Sequence, residues 1–197
     1  MYVPANILIT GARVLYAPAG TAFPDDTLAF GAAWPSWTEV GYTLAPFQLS
    51  YRFDVVEVMT QQTNAPVKRR RRSETVSFQT SLGEHTAQNL ALAMAGVASS
   101  TPAGVGQPGK EEFSVGGDAS LPTQKWGAEG VYESDAGEKF PVRVFIHQGT
   151  ASEGGDLGYD RENPTGIPLS IGVLADFAQP VGRQLFVVQR ILAAATG

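Results

Sequence analysis

The chain has 197 residues, 43% of them hydrophobic, with 22 glycines, 13 prolines and no cysteine. That is enough apolar material for a core, with turn-formers that favour many strands over a helical bundle, and it excludes disulfides and thiolate metal sites. The net charge of −5 hides an asymmetry: five of the 14 basic residues sit at positions 68–72, leaving 9 against 19 acidic residues elsewhere. An acidic body with one basic patch suits head-to-tail self-association as well as nucleic acid, the bland alternative being a solvated hairpin.

Arg13 to Ala17, with Val14, Leu15 and Tyr16, is the first strand candidate. Residues 18–35 are rich in Pro, Gly and Ala and read as loop. Trp34 and Trp37 then lead into a second short strand ending near Tyr42, the two rings serving as core plugs or interface anchors. From Phe47 onward the residues alternate: Phe47, Leu49, Tyr51, Phe53 and Val55 on one face, Gln48, Ser50, Arg52 and Asp54 on the other. That is the period of a half-buried strand. A polar tip runs from Thr60 to Pro66, and the chain returns through Val67 and the cations Lys68, Arg69, Arg70, Arg71 and Arg72, so a long hairpin loop is expected at about 57–72. Pleating puts Arg69 and Arg71 on one face and Lys68, Arg70 and Arg72 on the other. A strand charged on both faces predicts an exposed ribbon, or one that meets a partner.

Val76 and Phe78 resume the alternation, and Ser81-Leu82-Gly83-Glu84 has the spacing of a capping box, with Ser81 and Glu84 satisfying free N–H groups at a helix start. Ala87, Leu90, Ala91 and Met94 form one apolar stripe, predicting a helix over about 83–95 that Gly96 ends with a positive φ. Loop-rich insertions are expected at about 98–111 and 149–166. Between and after them come strand candidates at Glu112 to Val115, Gln124 to Glu133, around Val142, Val144 and Ile146, along Leu169, Ile171, Val173, Ala175 and Phe177, and at Leu185 to Ile191; Ala193 to Gly197 reads as a tail. The expected fold class is mainly β: residues 1–197 as one domain, an antiparallel sandwich or partly closed barrel with one flanking α-helix and a long protruding hairpin.

Little in the chain suggests catalysis. Gly104-Val-Gly106-Gln-Pro-Gly109-Lys110 matches part of a phosphate loop, but Glu111 stands where magnesium needs Ser or Thr, and neither a preceding strand nor a following helix is predicted. His85 and His147 lack any metal-ligand spacing, and there is neither a nucleophile elbow nor a thiol. Asp156, Asp160 and Glu162 could cup calcium but do not follow the EF-hand spacing, so they read as a plain acidic loop. No enzyme activity, cofactor or metal is expected. No apolar run approaches ~20 residues, so no helix is expected to span a membrane. Met1 to Thr10 lacks the pattern of a signal peptide.

The stretch 37–96 resembles the major tail tube proteins of long-tailed bacteriophages. The likeness lies in Trp37-Thr-Glu-Val-Gly41-Tyr42-Thr, the alternating strand with Phe47, Leu49 and Tyr51, Gln61-Gln62 at the hairpin, Val76-Ser-Phe78-Gln-Thr-Ser-Leu82-Gly-Glu84, and Asn89-Leu90-Ala91-Leu92-Ala93. It covers about the first half of the chain. The resemblance implies a structural virion protein that self-assembles into hexameric rings, stacked as the hollow tail tube that conducts phage DNA into the host cell. It would be assembled in the host cytoplasm, with a tape measure inside and terminator and tip proteins at the ends. It further implies that the hairpin (Glu57, Met59, Gln61, Gln62, Asn64 and Lys68 to Arg72) crosses between rings. Gln48, Ser50, Arg52 and Asp54 are candidates for the channel wall. Two alternatives stay open: a nucleic-acid-binding β-domain using the basic strand, or another tail component such as a terminator.

Overall fold

The computed structural model describes residues 10–117, 120–134 and 137–193. Most of the N-terminal stretch read above for a signal peptide (1–9) and the tail residues 194–197 lie outside these. In chain order the elements are β1 (Arg13–Pro18), β2 (Thr38–Glu39), β3 (Gln48–Val58), β4 (Lys68–Leu82), α1 (Ala87–Met94), β5 (Val97–Thr101), β6 (Lys110–Ser114), β7 (Gln124–Glu133), β8 (Lys139–Ala151), β9 (Ile167–Val173) and β10 (Phe186–Arg190). The fold is mainly β, antiparallel throughout, with one short helix and no closed barrel among the described residues. One large sheet runs β2-β1-β7-β8-β9-β4-β3, with β10 also paired to β8, and β5 pairs with β6 in a separate ribbon.

The large sheet is covered unequally. On one side lies the main core: Phe78 and Leu82 of β4, Trp126, Ile146, Ile167, Leu169 and Ile171 pack with Leu92 and Ala93 of α1. Each such side chain taken fully out of water contributes roughly 1.5–3 kcal/mol of transfer free energy, so this layer supplies the main drive to fold. On the other side an irregular arm, residues 19–37, covers only the β1, β7 and β8 half, seating Phe23, Leu28, Trp34 and Trp37 over Leu15 and Phe145. The two tryptophans thus serve as core plugs under this arm.

A buried charge row anchors the arm. Arg13, Glu129 and Arg143 are direct cross-strand neighbours on β1, β7 and β8. The Arg143 Nε donates to Glu129 Oε1 at 2.9 Å, and the Arg13 Nε donates to Glu129 Oε2 at 2.9 Å. Glu129 and Arg143 are both 0% exposed. The remaining donors go to the arm: Arg143 to the carbonyls of Asp25 and Leu28, Arg13 to that of Ala32. In return the Gly31 N–H donates to Glu129 Oε2 at 3.1 Å. An irregular segment has no ladder to satisfy its backbone, and this row supplies the missing partners.

The helix start differs from the capping-box expectation. Ser81 still belongs to β4, whose hydrogen-bonded pairing with β9 runs to Leu82. Glu84 turns away from the helix and accepts from the Tyr42 N–H at 3.0 Å, packing against Gly41, where a Cβ would lie 2.2 Å from the carboxylate oxygen. The cap is Thr86, whose hydroxyl accepts from the Asn89 N–H at 3.1 Å, so the helix begins at Ala87. Strand pairing holds the Ser81 backbone in the sheet, and a sheet ladder outweighs one local side-chain bond. At the other end the left-handed residue is Ala95, φ 52°, not Gly96. Gly96 is required by close approach instead: a Cβ there would lie 2.3 Å from the Phe113 ring and 2.5 Å from the Ser114 carbonyl.

Within 98–111 the loop is residues 102–109, framed by the paired ribbon β5–β6, and the phosphate-loop look-alike lies in its turn, bridged at Gly104 and Gln107. One other expectation changes. The ladder expected to reach Phe177 stops at Val173, and Phe177 sits exposed in the following loop.

Glu129→Gln leaves Arg143 buried without its counter-charge. It is expected to lower unfolding free energy by about 3–5 kcal/mol in denaturant titrations and to open residues 19–37 to proteolysis. Thr86→Ala should cost about 1 kcal/mol, and Ser81→Ala distinctly less, in the same titrations. His147, against the Phe23 ring and with neither nitrogen hydrogen-bonded, is held below the usual imidazole range by burial. Lys125 and Arg183 push the same way and Asp176 opposes them. An unfolded chain takes that proton near pH ~6.5. The stability tied to neutral His147 is therefore complete above that pH and falls as pH drops through the window below it. Melting curves against pH should show this decline, flattened in His147→Phe.

Candidate functional site

β3 and β4 extend past the sheet. β9 pairs with β4 only from Ser77 to Leu82, so Lys68 to Val76 pairs with β3 on one edge and, among the described residues, with no strand on the other. That unpaired length is about 30 Å at ~3.4 Å per residue. β3 forms the rim of the sheet over all 11 of its residues. The ribbon therefore presents two open edges, and it is exposed on both faces as well. Its foot packs onto the core through Phe47, Leu49 and the buried Val76, while Tyr51, Phe53, Val55, Val56, Val58 and Met59 are all exposed. The half-buried strand expected at 47–55 is thus half-buried at its foot alone.

The register sorts the predicted hairpin residues. A bulge opposite Asp54 and Val55 takes Arg72 out of the pairing. Beyond it Arg71 opposes Val55 and Arg69 opposes Glu57. Arg69 Nε pairs with Glu57 Oε1 at 2.7 Å, and Arg71 bonds Glu74 at 2.6 Å, a hydrogen bond that holds Arg71 still more firmly protonated. Arg71 also lies over the Phe53 ring, 5.1 Å from its centroid. Lys68 and Arg70 oppose Val58 and Val56 on the other face, with no ion-pair partner among the described residues. Met59, Gln61, Gln62 and Asn64 are at the exposed tip, which Thr60 and Thr63 brace through a 3.1 Å hydroxyl contact.

Gln48, Ser50, Arg52 and Asp54 lie on the sheet side that the arm leaves uncovered. Pairing extends this face across three strands: Gln48 opposes Gln79, which opposes Ser170, and Ser50 opposes Ser77, which opposes Gly172. Ser170 also meets Ser152 at 2.9 Å, and Asp54 accepts from the Ser73 hydroxyl at 2.8 Å. The result is a wall of amides and hydroxyls with little net charge.

Charge is segregated along the strands. β4 and β9 are antiparallel, so the cations at 68–72 share one end of the molecule with the loop after β9. The opposite end carries Glu84 and the loop 152–166, with Glu153, Asp156, Asp160 and Glu162 against the single cation Arg161. Asp160 is occupied locally: it accepts from the Glu162 N–H and the Asn163 side chain, which hold its carboxyl below the usual range. Ser81 and Glu84, expected as helix caps, lie at this acidic end instead.

Sequence reasoning overlooked the loop 174–185. The Asp176 carboxylate, held low by hydrogen bonds from the Gln179 side chain and the Ala178 N–H, ties it into a turn, and the Asp176 N–H donates to the Gln184 carbonyl. Pro180 and Gly182, the latter at φ 90°, are the turn signal that separates this loop from the strands around it.

A family model described as "Phage tail tube protein" matches residues 4–184. No curated protein matches the chain.

Proposed function

We propose that this chain, which belongs to the phage tail tube protein family, is the repeating subunit of a hollow tube built from hexameric rings stacked head to tail. The carrying observation is the β3–β4 ribbon. It exposes apolar side chains on both faces and leaves both edges unpaired, a liability that a lone protein avoids and an assembly removes. Glu57, Met59, Gln61, Gln62, Asn64 and the cations Lys68 to Arg72 make the ring-to-ring contact, meeting the acidic end of the next copy. A heterologous contact of this kind repeats without closing on itself along the tube axis.

The uncovered polar wall lines the channel: Gln48, Ser50, Arg52 and Asp54, continued by Ser77, Gln79 and Ser170. A passage for DNA must be wet and must not hold phosphate, and a wall of amides and hydroxyls satisfies both, where a dense cationic one would retain the polymer by counterion release. The role is structural, located in the virion tail, with a tape-measure protein inside and terminator and tip proteins at the ends. Direct nucleic-acid binding by the basic strand has less support. Its cations are divided between two faces, and Arg69 and Arg71 already carry carboxylate partners.

Negative-stain microscopy of concentrated protein is expected to show rings and tubes, and a monodisperse monomer would overturn the proposal. Deleting residues 60–66 should leave folded protein that stops at monomers or short assemblies. Because the contact is partly electrostatic, raised salt should shorten wild-type tubes.

A further inference from the structure

We infer that the acidic loop 152–166 of one copy docks, through Tyr159 and Leu157, into the groove beside the hairpin base of the next copy. The inference rests on the head-to-tail assembly proposed above and identifies a second contact within it.

The groove has a volume of about 840 Å³. Its walls combine Tyr51, Phe177, Val181 and Phe186 with Arg72 and the Arg71–Glu74 ion pair. Phe177 is 82% exposed and Val181 93% exposed. This exposure is built in, since the Asp176 hydrogen bonds and the bond from the Arg183 N–H to the Pro180 carbonyl set the loop that presents them. An ordered loop that holds two large apolar side chains in water is a poor arrangement for a monomer and a prepaid one for a partner.

The other loop carries the complement. Tyr159 is 85% exposed and Leu157 is also exposed, and four carboxylates surround them against one arginine. This loop too is held in shape: the Asp160 N–H donates to the Thr165 hydroxyl, and His85 bonds the Thr165 carbonyl and packs beside the Tyr159 ring. An aromatic and a leucine among carboxylates fit an apolar groove in which Arg71 is already paired with Glu74 and Arg72 is the cation left to meet them, with the tyrosine as anchor and the charges setting register.

Position decides that the two surfaces meet between copies and not within one. The acidic loop enters β9 at Ile167, and the groove loop leaves it after Val173. Seven strand residues span roughly 20 Å, so the loops face opposite ends of the molecule. A ligand at one end and its receptor at the other make a head-to-tail joint.

The chain has no cysteine, so a Gly158→Cys/Val181→Cys variant, which keeps the Tyr159 anchor, reports this joint alone. After mild oxidation of assembled protein, a non-reducing gel should show a ladder of crosslinked multimers that dithiothreitol collapses. Tyr159→Ala, with its fold verified by its melting curve, should raise the concentration needed for tubes about tenfold, the scale of losing one aromatic anchor, while Tyr159→Phe should not. Asp156→Arg should block tube growth, and adding Arg72→Glu to it should restore growth. Tubes without a ladder, unaffected by Tyr159→Ala, would overturn the docking and leave the tube reading standing. Wild-type protein that never assembles would overturn both.

Discussion

The row Arg13–Glu129–Arg143 is the constraint on which the rest of the sheet depends. Three charges placed in register on β1, β7 and β8 are tolerable in the interior only if every remaining donor finds an acceptor. The arm 19–37 provides those acceptors as backbone carbonyls, and the row in return gives the arm a fixed path. One half of that side of the sheet is thereby closed with aromatic packing. The other half, over β3, β4 and β9, is left open, and there the sequence places Gln, Ser and Thr where an uncovered apolar surface would stick to anything.

The same division runs along the strands. The apolar layer that α1 covers continues past the helix onto Tyr51, Phe53 and Val55, which stay exposed although Arg71 lies over the first two rings and Phe186 flanks Tyr51. Cations cluster at that end and carboxylates at the other. Taken with membership of the tail tube family, this polarity supports growth along an axis. Each copy has an unsatisfied apolar and cationic end and an acidic end, so satisfying one exposes the next. The bulge beside Arg72 contributes by increasing local twist and by spoiling a regular edge, which restrains indiscriminate strand pairing.

Much of the architecture was legible in the chain. The alternation at 47–55 and again at Val76 and Phe78 marks the hairpin, the cations on both faces of its return strand mark it as exposed, and the stripe Ala87, Leu90, Ala91 and Met94 marks the helix. Where reading failed, a local signal competed with a tertiary one. The Ser81–Glu84 spacing is a sound cap in isolation, but pairing with β9 keeps Ser81 in the sheet and Glu84 is spent on Tyr42. Leu169 to Phe177 alternates throughout, yet the strand ends at Val173 and the chain turns at Pro180 and Gly182.

Sequence by itself determined what repeats locally: strand periodicity, the helical stripe, the turn chemistry and the uneven placement of charge. These follow from bonds and contacts between near neighbours. Only the tertiary structure decided which distant residues became neighbours. Arg13 and Glu129 are 116 positions apart, and nothing in either segment announces the other. The opposition of the acidic loop and the Phe177 groove likewise exists only once β9 sets them at its two ends. Register and strand order are properties of the whole packed chain, because the burial that selects them is summed over all of it.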